Sequence, residues 1–545
     1  MLNILPKQIH SMYTRDGIKL DADVYVPDAK GKFPVLLMRQ PYGREIASTV
    51  VYAHPTWYAA QGYIVVIQDV RGRGTSQGEF KLFANEIQDG EDTVNWAANL
   101  PYSNGKVGMY GFSYQGMTQL YAAAAKPPAL KAICPAMIGY DLYSDWAYEG
   151  GGFCLQTNLA WALQLATETA QLKHDQQTYQ QLATAARNLP LSDAIPNYPK
   201  ILKDCALESF YHDWVTLPQS DTYWQQLSPK NYLQDVDLPM FHIGGWFDTY
   251  LRGTLNLYKA IAFRSKHRQQ LVIGPWAHIP WGRKVGAIDF GLNAISPIDQ
   301  MQIAWFDEYL KDGKTNLPDF PPIWLFEMGS NLWQGYEKLE NKTHKKLFLS
   351  STGLANIQED NGVISSVLPN NYSCDVIVHD PWRPVPSLGG HAGIPAGVFE
   401  RSHLDSRSDI LTYTTPPLTE DLHLLGEVVV EVYCDADKPS FDLSAILSEV
   451  HSDGRVYNLT QGYLNCENGL NRTLRRIQLQ TTCAKISQGN SLRLSLSAAC
   501  FPAYAMNSGT GIEISKAKAI DSQIITITVH CGGEYPSQIH LPSEF

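Results

Sequence analysis

Residues 106–125 read KVGMYGFSYQGMTQLYAAAA, and the fold is decided there. Val107 to Tyr110 is a short apolar run that predicts a buried strand. Gly111-Phe112-Ser113-Tyr114-Gln115-Gly116 follows, and Met117 to Ala125 is dense in helix formers. A serine between two glycines on a sharp strand-to-helix turn is a nucleophile elbow. The glycines are needed because side chains at 111 and 116 would collide with neighbouring backbone in so tight a turn. The turn lifts the Ser113 hydroxyl above the sheet. It leaves the Tyr114 N–H facing whatever the serine attacks.

Upstream of the elbow, residues 8–26 alternate apolar and polar around Arg15-Asp16-Gly17, which predicts an antiparallel hairpin. Strands are expected at Pro34–Arg39 and Tyr63–Val70, and a helix at Glu91–Leu100. Downstream, another strand is expected at Leu130–Pro135. Strands alternating with helices imply a parallel sheet covered on both faces. From Asp141 to about Gln234 the chain turns polar and rich in Gln, Ala and Leu, with helical spacing at Leu159–Gln171 and Gln177–Asn188. Sheet character returns at Pro239–Trp246 and Gln270–Pro275, and Met301–Leu310 reads as a closing amphipathic helix. After Asp312, Pro318, Pro321 and Pro322 mark a linker. Short alternating stretches then run to the end, among them Lys346–Ser350, Val428–Cys434, Ser491–Ser497 and Gln523–His530. The expected division is 1–140 and 236–315 for an α/β core, 141–235 for a helical insertion, and 316–545 for an all-β jelly roll.

Composition narrows the partners. The 545 residues carry a net charge of −11, with 44% hydrophobic and 18% charged residues. That is an ordinary globular balance, and it argues against nucleic acid and anionic membrane surfaces, which need basic patches. The nine cysteines show no CxxC pair and no zinc spacing, so no metal is expected. No run of 18 apolar residues exists, and the first residues do not form a signal peptide. A cytoplasmic protein with reduced thiols is expected. Oligomeric state is left open, with a homo-oligomer allowed.

A serine hydroxyl needs a base to take its proton and a third group to orient that base. In α/β-hydrolases the chain order is Ser, then Asp or Glu, then His. Asp248 follows the strand Pro239–Trp246, and His278 follows Gln270–Pro275. Both therefore fall at carboxyl ends of strands, the ligand-binding edge of such sheets. His267 sits in a solvated basic run, His242 lies inside its strand, and Asp235 and Asp237 precede theirs. A second GxSxG, Gly74-Thr75-Ser76-Gln77-Gly78, lacks the strand–turn–helix context, so Ser76 is not expected to react. Gly72-Arg73-Gly74 fails as a dinucleotide fingerprint because position 77 is Gln77. The oxyanion hole takes the Tyr114 N–H and needs a second donor from the loop Arg39–Arg44, where the Tyr42 hydroxyl is available; an ordinary loop tyrosine is the alternative.

The motifs RQPYGR (39–44), QDVRGRGTSQGEF (68–80), NGKVGMYGFSYQG (104–116), GGWFD (244–248) and GPWAH (274–278) occur in order. Together they closely resemble the cocaine esterase and X-Pro dipeptidyl-peptidase family of serine hydrolases. MGSNLWQ (328–334) and HDPWRPVPSLGG (379–390) extend the resemblance through most of the chain. It implies an α/β-hydrolase core with an inserted helical cap, followed by a jelly roll. It also implies Ser113 as nucleophile, His278 as base, Asp248 as its orienter and Tyr42 as a donor to the oxyanion.

The family divides by substrate. X-Pro peptidases carry a large extra N-terminal helical domain, for which no room is expected before the hairpin near residue 8. The α-amino acid ester hydrolases hold the substrate ammonium with a carboxylate cluster. Two of its positions are Tyr250 and Leu251 here, while Asp145-Trp146 matches a third. Esterases of the cocaine-cleaving kind use aromatic walls, which Trp146, Trp161 and Tyr250 resemble. The expected activity is hydrolysis of carboxylic esters through an acyl-enzyme, with a small-molecule ester or amide substrate and no cofactor. Amidase, X-Pro-type peptidase or β-lactam acylase activity on the same machinery is the alternative, and an inactive binding protein is the reading from another class.

Overall fold

The computed structural model describes residues 1–45, 49–311, 320–339 and 344–542. A ten-stranded sheet organises the first part. Its strands in chain order are β1 (Gln8–Tyr13), β2 (Lys19–Tyr25), β3 (Phe33–Gln40), β4 (Ile64–Asp69), β5 (Ser103–Phe112), β6 (Leu130–Ala136), β7 (Met240–Phe247), β8 (Gln269–Ala277), β9 (Ile323–Glu327) and β10 (Leu332–Tyr336). Across the sheet they lie β1-β2-β4-β3-β5-β6-β7-β8-β9-β10. The run from β4 to β9 is parallel, and the pairs at both edges are antiparallel.

The parallel strands are apolar on both faces because each face carries helices. Val35 and Leu37 of β3 pack with Val94 and Met117 on one side. Leu36 and Met38 pack with Tyr58 and Phe306 on the other. The two sets come from helices Glu86–Ala98 and Tyr114–Ala124, and from Pro55–Ala60 and Ile298–Leu310.

Between β6 and β7 the chain leaves the sheet to build the cap. Its main helices are Leu155–Leu172 and Gln176–Arg187, each close to the expected span. Three further six-residue helices, Lys200–Cys205, Tyr211–Thr216 and Thr222–Leu227, are too short to show a period in the sequence.

Pro321 and Pro322, expected in a linker, lead into β9, which pairs in parallel with β8. The ten-stranded sheet therefore runs to Tyr336. Prolines next to a strand read the same in sequence whether the strand joins the old sheet or a new one. Pro318 lies outside the described residues. From His344 onward the chain is all β, built on an eleven-stranded sheet. Val429–Ala436 alternates buried and half-buried residues, as a strand with one covered face must. Among the described residues no helix is long and apolar enough to cross a membrane.

Candidate active site

Ser113 stands at the end of β5 with φ 59° and ψ −128°. An L-residue avoids this region, at a cost of about 1–3 kcal/mol, so the neighbours must impose it. They do so through two hydrogen bonds: Ser113 N–H to Ala136 O and Met117 N–H to Ser113 O, each 2.9 Å. The flanking glycines leave the necessary space. A Cβ at Gly116 would come within 2.4 Å of Ile138 Cγ2 and 2.8 Å of the Ala136 carbonyl. A Cβ at Gly111 (φ 140°) would come within 2.5 Å of Gln115 Cβ, so a side chain rather than backbone is the nearest obstacle there.

Tyr114 opens the helix Tyr114–Ala124, so its N–H has no acceptor within that helix. Its ring points inward, and its hydroxyl donates to Glu86 Oε1 at 2.8 Å. Arg39 Nη1 pairs with the other oxygen of Glu86 at 2.5 Å. The helix start is thus fixed from below while the N–H remains at its open end.

Asp248 and His278 follow β7 and β8, which are neighbours in the sheet. His278 Nδ1 and Asp248 Oδ1 are 2.7 Å apart. The Asp248 side chain is fully buried, while that of His278 is 27% exposed. An imidazole that donates Nδ1–H to a carboxylate presents Nε2 as an acceptor when neutral. The His278 ring lies 5.3 Å from that of Phe112, the residue before Ser113, and meets Tyr250 edge-on at 5.0 Å.

The Tyr42 hydroxyl accepts a 3.1 Å hydrogen bond from Trp161 Nε1. Burial pushes this phenol well above its ordinary range, so it stays protonated and remains a donor. The sequence placed Trp161 only as a pocket wall. The structure gives it a second part, since its indole orients Tyr42.

Trp146, Trp161 and Tyr250 lie in one aromatic cluster, with Trp146 and Tyr250 buried in the core. Trp146 lies 4.1 Å from Tyr250 and 5.4 Å from Trp161, centroid to centroid. Phe83 and Phe210 extend it, at 5.9 Å from Trp146 and 4.8 Å from Trp161. Neither phenylalanine stood out in the sequence, and both belong to the same buried core cluster.

Asp145 is placed differently from expectation. Its Oδ2 accepts from the N–H groups of Tyr140 and Asp141, at 3.2 and 2.7 Å, and its Oδ1 accepts from Asn256 at 3.0 Å. The carboxylate is 3% exposed and closes its own turn, which leaves it no face for a substrate ammonium. Glu149 is likewise engaged, by Arg252, His391 and Tyr504. Burial pushes its carboxyl up, but Arg252 and His391 outweigh this and bring it down to about 2.

Ser76 donates to Asp69 O at 2.8 Å and accepts from Asp21 N–H at 2.9 Å. Its hydroxyl closes a loop and faces no base. In the same loop, buried Arg73 stacks on Phe80 at 3.9 Å and stands 3.7 Å from Glu168. Burial pushes the Glu168 carboxyl up to about 7, with Arg73 opposing only in part. The folded protein therefore holds a proton here that the unfolded chain releases near pH 4.5. The contribution of this group to stability falls as pH rises from about 4.5 to 7. In Glu168→Gln that part of the decline is lost, which thermal melts across this range would show as a flatter dependence of Tm on pH. An unchanged slope would mean that Glu168 titrates as it does in water.

Comparison with known proteins follows the same lines. The X-Pro dipeptidyl-peptidase (S15 family) profile matches residues 16–280. The profile of the X-Pro dipeptidyl-peptidase C-terminal non-catalytic domain matches residues 315–540. Over 557 aligned residues the chain is 30% identical to the cocaine esterase of Rhodococcus sp. (strain MB1 Bresler), spanning 97% of this chain and 96% of that one. The chain belongs to the S15 X-Pro dipeptidyl-peptidase family. Its fold is shared with solved structures at lower identity. An aminopeptidase from a marine sediment Thaumarchaeota archaeon superposes with a TM-score of 0.82 at 24% identity, over 99% of this chain and 96% of that one. An α-amino acid ester hydrolase superposes at 0.81 and 24%, over 100% and 97%. This S15 member thus has the α/β core and the all-β domain in the family arrangement.

Proposed function

We propose that this S15 protein is a serine hydrolase that cleaves carboxylic esters with uncharged aromatic or apolar acyl groups. The observation that carries the reading is the 2.7 Å bond between His278 and Asp248 beside a serine held in an elbow. Ser113 Oγ attacks the ester carbonyl while His278 Nε2 takes the hydroxyl proton. The oxyanion is met by the Tyr114 N–H and the Tyr42 hydroxyl. The tetrahedral centre collapses, His278 returns its proton to the leaving alcohol, and the acyl group stays on Ser113. Water then attacks the acyl-enzyme by the same route and releases the acid. Ser113, His278 and Asp248 form a catalytic triad in this reading, and the β domain is a jelly roll closing one side of the pocket. Nucleic acid and membrane have no part in it, and the site is read as cytoplasmic.

The acids favour an uncharged substrate. An unpaired buried ammonium costs several kcal/mol, and a peptidase or amino-ester hydrolase must meet it with a free carboxylate. Asp145 and Glu149 are engaged, and Glu168 faces Arg73. The expected ratio of kcat/KM for phenylglycine methyl ester over phenylacetic acid methyl ester is below tenfold, at a pH where the amine is charged. A larger preference, worth more than ~1.4 kcal/mol, that vanished in Asp145→Asn would move the protein to the amino-ester branch. A nitrophenyl ester should give a burst of chromophore equal to the enzyme present. Absence of turnover on every ester and amide tried would leave a binding protein.

A further inference from the structure

The loop that carries Asp248 is held from the other domain. Trp246, Phe247, Leu251 and Leu255 share one apolar cluster with Leu424, Leu479 and Cys483 of the β domain. Out of that domain comes Gln480, which is 2% exposed. Its Nε2 donates to Trp246 O at 2.9 Å and to Asp248 O at 3.2 Å. Both neighbours are carbonyls, so the amide nitrogen must face them.

Gln480 is itself fixed. Its N–H donates to Gln461 O at 2.9 Å, and its carbonyl accepts from Thr460 Oγ1 at 2.5 Å, both on the strand Val456–Glu467. The Asp248 carboxylate is not so well tied. Oδ1 meets His278, but Oδ2 is buried with no hydrogen-bond partner among the described residues. Where the carboxylate points thus depends on its backbone, and a side-chain tie on that backbone is Gln480. The Gln480 Oε1 is also buried without a partner among the described residues. A buried amide that leaves one end unsatisfied costs about 1–3 kcal/mol. Packing alone gives no reason to keep it.

We infer that Gln480 is a positioning residue for the Asp248–His278 pair, so the β domain takes part in catalysis. The inference rests on the function proposed above. Gln480→Met keeps the length of the side chain and removes both donated bonds. It should leave KM little changed and lower kcat by about ten- to a hundredfold, the scale of an ångström misplacement. It should also move the rising limb of kcat/KM to lower pH. Asp248 stabilises the His278 imidazolium, so a loosened carboxylate lets the ring lose its proton sooner. Tyr250 faces the same ring edge-on. Gln480→Asn draws the amide back by one methylene and should act in the same direction, which covers the case in which the Met variant does not fold. Folded variants with wild-type kcat and an unmoved limb, differing only in Tm, would reduce Gln480 to a domain tether. Activity that survives Ser113→Ala in the wild-type background would instead overturn the proposed function itself.

Discussion

Ser113→Ala should lower kcat by something on the order of 10⁶, with folding retained. The size follows from how the three groups act together. Once Oγ is gone, the proton acceptor on His278 and its partner Asp248 have no proton to move. Folding survives because the elbow is imposed by the Ala136 carbonyl, the Met117 N–H and the glycine contacts, none of which uses the hydroxyl. The paired control is Ser76→Ala. It deletes bonds to Asp69 and Asp21 and should cost about 1 kcal/mol of stability, with turnover near wild type. Ester turnover and a thermal melt of both variants check this together. If Ser76→Ala abolishes acylation and Ser113→Ala does not, the elbow is misassigned.

Tyr42→Phe should cut kcat by roughly 10²–10³ and leave KM little changed. The Tyr42 phenol is kept protonated by burial, so it remains a donor. Its bond becomes charge-assisted only when the carbonyl oxygen turns anionic, so the loss falls on the transition state. Trp161 is the built-in check on geometry. With its indole donating to Tyr42 at 3.1 Å, Trp161→Phe should loosen the donor without removing it and give a smaller effect on kcat. A large rise in KM with normal kcat in Tyr42→Phe would make that residue a substrate contact.

The parts of the site that were legible are those in which backbone chemistry demands a residue type. Gly111 and Gly116 are readable because a Cβ there has nowhere to go. Asp248 and His278 are readable because they follow apolar runs in a fixed chain order. The helix Glu86–Ala98 begins five residues before its expected start at Glu91. Glu86 looks like a solvated acid in sequence, yet it is buried against Arg39 and Tyr114. Asp145 was misleading for the same reason. A carboxylate's partners lie elsewhere in the chain, and the sequence around it does not name them. Gln480 is the extreme case. It stands 232 residues from the carbonyl of Asp248 that it holds, in a stretch with no motif.

The insertion between β6 and β7 has a consequence for how such enzymes diversify. Ile133 pairs with Met240, and Ala136 with Ile243, so the cap leaves and returns at adjacent strands. To the sheet it is only a closed loop. The entropy of closing a flexible loop rises with the logarithm of its length, about 0.6 kcal/mol for each doubling. In closure entropy alone, a longer cap therefore costs the core very little. Ser113, Asp248 and His278 all lie outside the inserted segment, whereas Trp146, Trp161 and Phe210 lie inside it. In the reaction proposed above, mutation of the insertion can thus rewrite which acyl group fits while the groups assigned to bond breaking are inherited intact.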